Sequence, residues 1–251
     1  VRQILEIIKV SRPGFWPTHI WFYLLPFSQK NMFDSPAFWL GAFYICFPLS
    51  LLLYGWNDLG DADTDAINER KGNWLFGACP DEKTRRLLPW VMFLVQAPFL
   101  VAFVWLAGYK MLGWFLAVCF VNLTYNNLGL KRRPVLDLLN QVGYLLIFVL
   151  ASWLCSVDQL NAPAMIFSAL FAMQSHLFGQ IMDAEEDQAA GRRTTAVTIG
   201  VQASKVLLAG IMLAEGIIAC FYFSPYVVPG FMLAGALFSL LMRSLALRNI
   251  P

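Results

Sequence analysis

The chain has 251 residues, of which 59% are hydrophobic and 14% charged. Soluble domains carry about 25% charged residues, so an ordinary soluble enzyme is excluded. A formal net charge of +2, with no basic run longer than Lys131-Arg132-Arg133, leaves no footprint for nucleic acid.

Eight apolar runs follow in chain order, at 15–29, 37–56, 87–108, 111–130, 135–156, 162–182, 201–223 and 227–247. A bilayer crossing takes about 20 apolar residues, so residues 1–251 are expected to form one transmembrane domain with short loops. The runs are too long for barrel strands, and open backbone cannot face lipid, so all eight are predicted as helices. Pro48, Pro98 and Pro163 are expected as kinks or near helix ends. No short apolar segment with a small-residue cleavage site precedes the first run, so no signal peptide is expected. The five cysteines show no C-x-x-C spacing, and all but Cys79 lie in apolar runs, which makes them apolar filler and not zinc ligands or disulfides.

With the N-terminus in the cytoplasm, sixteen Lys and Arg fall on that side and only Lys30 and Lys110 on the other. This is the positive-inside pattern, and miscounting a single span would scramble it. Of the sixteen acids, thirteen share the cytoplasmic side, Asp34 and Asp158 lie opposite, and Glu215 falls inside a run. The cytoplasmic acids cluster after the second run, as Asn57-Asp58-Leu59-Gly60-Asp61-Ala62-Asp63-Thr64-Asp65, and after the sixth, as Asp183-Ala184-Glu185-Glu186-Asp187.

If each cluster continues its helix, Asn57, Asp61 and Asp65 stack at i, i+4, i+8, and Asp183 and Asp187 at i, i+4. Stacked like charges repel unless a cation lies between them. Carboxylates with no His or Cys nearby suit Mg²⁺, which is usually shared with substrate phosphates. Two such clusters facing one another would hold two ions around one diphosphate.

These residues resemble the paired motifs of the UbiA superfamily of intramembrane prenyltransferases. The resemblance rests on Asn57-Asp58-x-x-Asp61-x-x-x-Asp65 and on Asp183-x-x-x-Asp187-x-x-x-Gly191-Arg192-Arg193-Thr194. Ser11-Arg12-Pro13, Tyr125-Asn126, Gly129-Leu130-Lys131 and Asp137 extend it. It implies an all-α polytopic bundle, usually of nine helices, around a central cavity that opens to lipid under a cytoplasmic polar cap. Eight spans are read here; the sequence does not show whether a ninth follows Pro251, to which Arg243 and Arg248 would fit as a cytoplasmic connection.

The implied reaction is loss of diphosphate from an allylic isoprenoid and attack on the resulting carbocation by a lipophilic acceptor. By motif match, Asp61 and Asp65 hold one Mg²⁺ and Asp183 and Asp187 another, with Asn57 and Asp58 assisting. Lys131 matches the family's diphosphate-facing lysine, and Tyr125 and Asn126 bond the phosphate or orient the acceptor. Arg70, Lys71, Arg192 and Arg193 are candidates for further positive charge, and Asp137 is grouped with the substrate-binding residues. Asp63 and Glu186 lie off the stacked face and are expected in solvent; Thr194 is expected to cap a helix.

His176 and Gln180 precede Asp183 by seven and three residues, on one face. Polar residues inside a span tend to face a cavity, so both are assigned to the acceptor pocket, with interhelical hydrogen bonding as the alternative. His19 and Glu215 lack such a stripe and read as packing residues. Trp16, Trp21, Trp56, Trp90 and Trp114 lie near run ends and are expected as interface anchors.

Members acting on aromatic acceptors often carry an Arg-Pro pair after the first motif, where this chain has Arg70-Lys71-Gly72. A proline-containing stretch often follows the tyrosine, where this chain has Asn126-Asn127-Leu128-Gly129. Both departures count against 4-hydroxybenzoate and leave other quinone precursors, tetrapyrrole, carotenoid or lipid acceptors. A transporter would place its polar site near the midplane on broken helices, whereas these clusters lie at run ends. A non-catalytic isoprenoid-binding member is the other alternative, and retention of every carboxylate in both motifs argues against it. Donor chain length and oligomeric state are not legible in the sequence.

Overall fold

The computed structural model describes residues 2–61, 71–223 and 226–241. Thirteen α-helices run through the described residues: α1 (Arg2–Val10), α2 (Trp16–Leu24), α3 (Pro36–Tyr44), α4 (Ser50–Gly60), α5 (Glu82–Ala107), α6 (Lys110–Asn126), α7 (Leu136–Leu139), α8 (Leu146–Cys155), α9 (Ala162–Met182), α10 (Ala184–Ala189), α11 (Thr195–Ile199), α12 (Val201–Tyr222) and α13 (Val227–Leu241). Four of these starts carry a side-chain cap for the free N–H groups, from Ser35, Asp81, Asn161 and Thr194. Asp81 accepts from Thr84 N at 2.7 Å at the head of α5, and Asn161 accepts from Ala164 N at 2.9 Å at the head of α9. Thr194 caps α11 through Val197 N, as anticipated.

Six described helices are long and apolar enough to cross a membrane: Pro36–Gly60, Glu82–Ala107, Lys110–Arg132, Leu136–Cys155, Ala162–Met182 and Val201–Tyr222. The first predicted run is instead broken into a 3₁₀ turn at Pro13–Phe15, α2, and a second 3₁₀ turn at Leu25–Phe27. Pro26 cannot donate within a continuing helix, which accounts for the second break. The last run is helical over Val227–Leu241, and its remainder lies outside the described residues.

Pro48 falls inside a π-helical turn at Ile45–Leu49 that joins α3 to α4 without ending the span. The wide turn accommodates the missing N–H, and side chains serve the neighbouring carbonyls. Ser50 Oγ donates to Ile45 O at 2.9 Å and Gln96 Nε2 to Pro48 O at 2.7 Å, while Gln96 Oε1 accepts from Tyr44 OH at 2.7 Å.

The chain forms two compact units, one with α1–α6 and α8, the other with α7 and α9–α13. In the first, Tyr44 lies at the centre of an aromatic cluster with Phe99, Phe103, Trp114 and Phe115, at centroid distances of 4.9–6.0 Å. Lipid is as apolar as these rings, so close packing and hydrogen bonds hold such helices together. Gly41 illustrates the tightness, because a Cβ there would lie 2.1 Å from Tyr23 OH and 2.9 Å from Leu154 Cδ2. Trp90, Phe93, Val101 and Trp105 of α5 are exposed, as side chains meeting lipid must be.

In the second unit, Leu208 and Ile211 of α12 pack on Leu177 and Ile181 of α9, and Ala196 of α11 and Leu138 of α7 complete the cluster. Farther along α12, Ala219 packs with Phe167 and Met232.

Candidate active site

The first acidic motif begins on α4. Helix propagation stops at Gly60, and Asp61 is the C-cap, with φ −114° and its N–H bonded to Asn57 O at 3.1 Å. The described helix thus ends one residue before Asp61, which keeps the i, i+4 bond to Asn57. Gly60 is a poor helix former, and successive carboxylates oppose the negative end of the helix dipole. Asp61 is buried. Asp65 and Arg70 lie outside the described residues.

Asp58 is 2% exposed, and its Oδ1 receives Arg12 Nη2 at 3.0 Å and Lys71 Nζ at 2.7 Å. Two cations thus converge on one carboxylate of the motif. This pairing gives Asp58 a structural partnership and Lys71 a carboxylate, which sequence spacing alone does not reveal. Asn57 Nδ2 donates to Asn126 Oδ1 at 3.1 Å, and Trp56 Nε1 to Asn127 Oδ1 at 2.9 Å, so the end of α6 is tied to α4. Tyr125 is half-buried in the same turn.

Arg12 turns the chain between α1 and α2 in the left-handed region, at φ 49°. Its guanidinium lies 4.5 Å over the Tyr54 ring. Tyr54 OH is 3.4 Å from His19 Nε2, and His19 Nδ1 is 2.8 Å from Ser50 Oγ. His19, read from sequence as packing, thus sits in a buried polar chain. Tyr54 precedes Asn57, Asp58 and Asp61 by three, four and seven residues, and that spacing was the available signal.

In the second unit, α9 ends at Met182 and α10 begins at Ala184, with Asp183 between them. Asp187 N still bonds Asp183 O at 2.8 Å, so the two carboxylates keep the helical i, i+4 separation across the junction. Asp187 is buried and receives Arg192 Nη1 at 3.3 Å, whereas Arg193 is exposed. Lys131 is buried in a 3₁₀ turn at Leu130–Arg132.

Asp137 is fully buried and accepts four hydrogen bonds. Oδ2 takes Gln180 Nε2 and Thr195 N, each at 2.7 Å, and Oδ1 takes Thr195 Oγ1 at 2.5 Å and Leu138 N at 2.8 Å. Gln180 Oε1 accepts from Ala196 N at 3.2 Å. Both amide ends of Gln180 are thus engaged, and the acceptor-pocket expectation gives way to the interhelical alternative. Asp137 is likewise turned into this knot. Thr195 Oγ1 also receives Val135 N at 2.8 Å, holding a β-branched residue at φ 69°, a conformation that is a genuine outlier for Val. The knot therefore anchors the segment that follows Lys131. His176, one turn deeper on α9, is half-buried.

Among the described residues no three His, Cys, Asp or Glu side chains come together as a metal cluster. The carboxylates at Asp61 and at Asp183 with Asp187 still fit an ion of the Mg²⁺ type, which binds one or two carboxylates and takes its other oxygens from substrate phosphates and water.

The chain is 29% identical over 218 residues to the lycopene elongase/hydratase of Halobacterium salinarum, covering 82% of this chain and 76% of that one. It is 24% identical over 209 residues to a lycopene elongase/hydratase of Corynebacterium glutamicum, covering 80% and 72%. The fold matches a UbiA homolog from Archaeoglobus fulgidus solved with GPP and Mg²⁺, at TM-score 0.74 and 17% identity, over 98% of this chain and 91% of that one. The same homolog solved with DMAPP and Mg²⁺ matches at TM-score 0.72 and 17% identity, over 94% and 85%. The model of the UbiA prenyltransferase family matches residues 15–250. With two acidic motifs at the ends of membrane-length helices and a family match across nearly the whole chain, this protein belongs to the UbiA prenyltransferase family.

Proposed function

We propose that the chain transfers the prenyl group of an isoprenyl diphosphate to a membrane-embedded polyene of the carotenoid class. The observation that carries this reading is the pair of all-oxygen acidic motifs, one closing α4 and the other joining α9 to α10. The names of the relatives support the carotenoid acceptor, and the replacement of an Arg-Pro pair by Arg70-Lys71 counts against 4-hydroxybenzoate.

Asp61 with Asp65 would hold one Mg²⁺, and Asp183 with Asp187 a second. When bound, the metal neutralises the charge that builds on the leaving diphosphate. Lys131 and Arg192 add fixed positive charge on the second unit, as Arg12 and Lys71 do on the first. Tyr125 and Asn126 orient the phosphate end, and His176 faces the acceptor. The basic residues, sixteen against two, support placing the N-terminus and both motifs on the cytoplasmic side. Residues 1–251 act as one catalytic domain.

The test uses purified protein in lipid nanodiscs with Mg²⁺, DMAPP or GPP as donor and lycopene as acceptor. Diphosphate release and the masses of the extracted carotenoids are read together. The expected result is a carotenoid heavier by one prenyl unit, lost on chelation and in Asp61→Ala and Asp183→Ala. Wild-type turnover in either variant sinks the two-motif site. Diphosphate release that depends on a different lipid, with lycopene unchanged, overturns the carotenoid assignment.

A further inference from the structure

The turn at Leu130–Arg132 sorts the basic residues of its segment. Lys131 is buried, whereas Arg132 and Arg133 are exposed. Two residues on, Val135 is 55% exposed and held at φ 69°, with its N–H on Thr195 Oγ1 at 2.8 Å. Burial in a core does not account for a strained backbone under an exposed side chain, and strained backbone collects at ligand clamps and switch segments. The same hydrogen bond joins segments 60 residues apart. Arg133 and Arg193 each stand two residues from it, and Arg193 is exposed as well. Among the described residues, none of Arg132, Arg133 and Arg193 has its guanidinium in an ion pair or a hydrogen bond. Asp137, the carboxylate nearest to them in sequence, is buried with both oxygens occupied by the knot.

A membrane-length helical stretch, Leu136–Cys155, begins directly after these residues. Leu136, Leu139 and Val142 are exposed at its head. They follow at i, i+3 and i+6, and in the 3₁₀ segment Asn140–Leu145 side chains three apart eclipse, so the three form one stripe. At a rise of 1.5–2.0 Å per residue the stripe is about 10 Å long, some two thirds of the roughly 15 Å hydrocarbon depth of one leaflet. Cations at the depth of the headgroups above an apolar stripe are complementary to a molecule with an anionic head and a hydrocarbon tail. A free phosphate has no tail to cover the stripe.

We propose that Arg132, Arg133 and Arg193 bind the headgroup of an anionic phospholipid from the surrounding bilayer, with an acyl chain along Leu136, Leu139 and Val142. Guanidinium groups suit this role, because their planar fork matches phosphate oxygens two at a time. The lipid phosphate meets the outer side of the segment whose inner side carries Lys131, and Thr195 holds that segment from within through Asp137 and Val135. A bound lipid therefore steadies the segment from outside as the knot does from inside. This site is separate from prenyl transfer and stands without the function proposed above.

The experiment compares the wild-type chain with the double variants Arg132→Gln with Arg133→Gln, and Arg132→Lys with Arg133→Lys. Each is purified in dodecyl maltoside and titrated with phosphatidylglycerol and phosphatidylcholine of equal chain length, and bound lipid is counted by native mass spectrometry. Wild type is expected to hold one phosphatidylglycerol about tenfold or more tightly than phosphatidylcholine. Each basic residue at an anionic surface is worth about fivefold, so the Gln variant should weaken phosphatidylglycerol by about 30-fold and leave phosphatidylcholine unchanged. The Lys variant keeps the charge and should stay within about fivefold of wild type. Melting temperatures in phosphatidylcholine alone are expected to match for all three. Equal retention of the two lipids by wild type, or a Gln variant within about threefold of it, overturns the site. A Gln variant that melts lower in phosphatidylcholine alone assigns the arginines to the fold and overturns it too. Displacement of phosphatidylglycerol by DMAPP without Mg²⁺ overturns the phospholipid as occupant in favour of the donor. Displacement by glycerol 1-phosphate, which has the head without the tail, overturns the part given to the apolar stripe.

Discussion

Replacing Asp137 by Asn tests whether the buried knot holds the second unit together. Each carboxylate oxygen faces two donors, so an amide nitrogen placed at either site confronts donors it cannot accept from. On the Oδ1 side two hydrogen bonds are lost, although Leu138 N keeps its bond to Val135 O at 3.1 Å and the Thr195 hydroxyl can turn to accept from the amide. Side-chain hydrogen bonds between membrane helices average about 0.6 kcal/mol and intramolecular hydrogen bonds in general about 0.5–1.5 kcal/mol, so a loss of about 1–3 kcal/mol is expected. Thr195→Val, which keeps the shape and removes the hydroxyl bonded to Asp137 and Val135, should lose about 1–3 kcal/mol by the same reasoning. Unfolding in mixed dodecyl maltoside and SDS micelles, followed by the fluorescence of the nine tryptophans, measures both. A shift for Asp137→Asn worth under about 0.5 kcal/mol would refute the knot as a stabilising element.

His176→Ala should change the ratio in which two competing carotenoids are prenylated while leaving donor KM within about twofold; equal losses for every acceptor would remove His176 from the pocket. Asp58→Ala removes the buried carboxylate that Arg12 and Lys71 share and should cost about 3–5 kcal/mol, the scale of a broken buried pair. The double variant Asp58→Ala with Lys71→Met should recover part of that loss, and no recovery would argue that the pairing is incidental. Gly14→Ala would place a Cβ 2.9 Å from the Leu75 Cα and 2.5 Å from its Cδ1, and because backbone must shift, about 1–3 kcal/mol of destabilisation is expected. Gly210→Ala, with nothing within 4 Å, should be neutral or stabilising by up to about 1 kcal/mol. Thermal unfolding of the two variants separates these outcomes.

The spans are legible where hydrophobic length alone decides them. The run at 162–182 coincides with α9, and the run at 201–223 ends within one residue of α12. The first run fails as a continuous helix because local proline chemistry outweighs its apolar composition. The motif carboxylates are legible because their spacing is local. Their partners are not, since Arg12 meets Asp58 from 46 residues away and Thr195 meets Asp137 from 58. Gln180 satisfies either reading in sequence, because a polar group on a span can turn to a cavity or to another helix, and only the neighbouring chain decides. Tyr54 is hidden for another reason. In a chain with 15% aromatic residues, its spacing from Asn57, Asp58 and Asp61 marks the face it shares with them, but not that its hydroxyl meets His19, 35 residues away.

The π turn at Ile45–Leu49 bears on how such a chain tolerates change during evolution. A single extra residue in a helix rotates everything after it by about 100°, so the direction in which Tyr54, Asn57, Asp58 and Asp61 point depends on the residue count upstream of them. The π turn holds one residue more than an α turn, so deletion of one residue within Ile45–Leu49 can close it to an α turn and leave the motif pointing as before, whereas deletion of one residue in α4 ahead of Tyr54 re-aims the motif with every motif side chain retained. The turn therefore acts as a store of one spare residue in the span, and a length-scanning library should keep activity at single deletions across 45–49 and lose it at single deletions across 50–53 well before membrane insertion is lost.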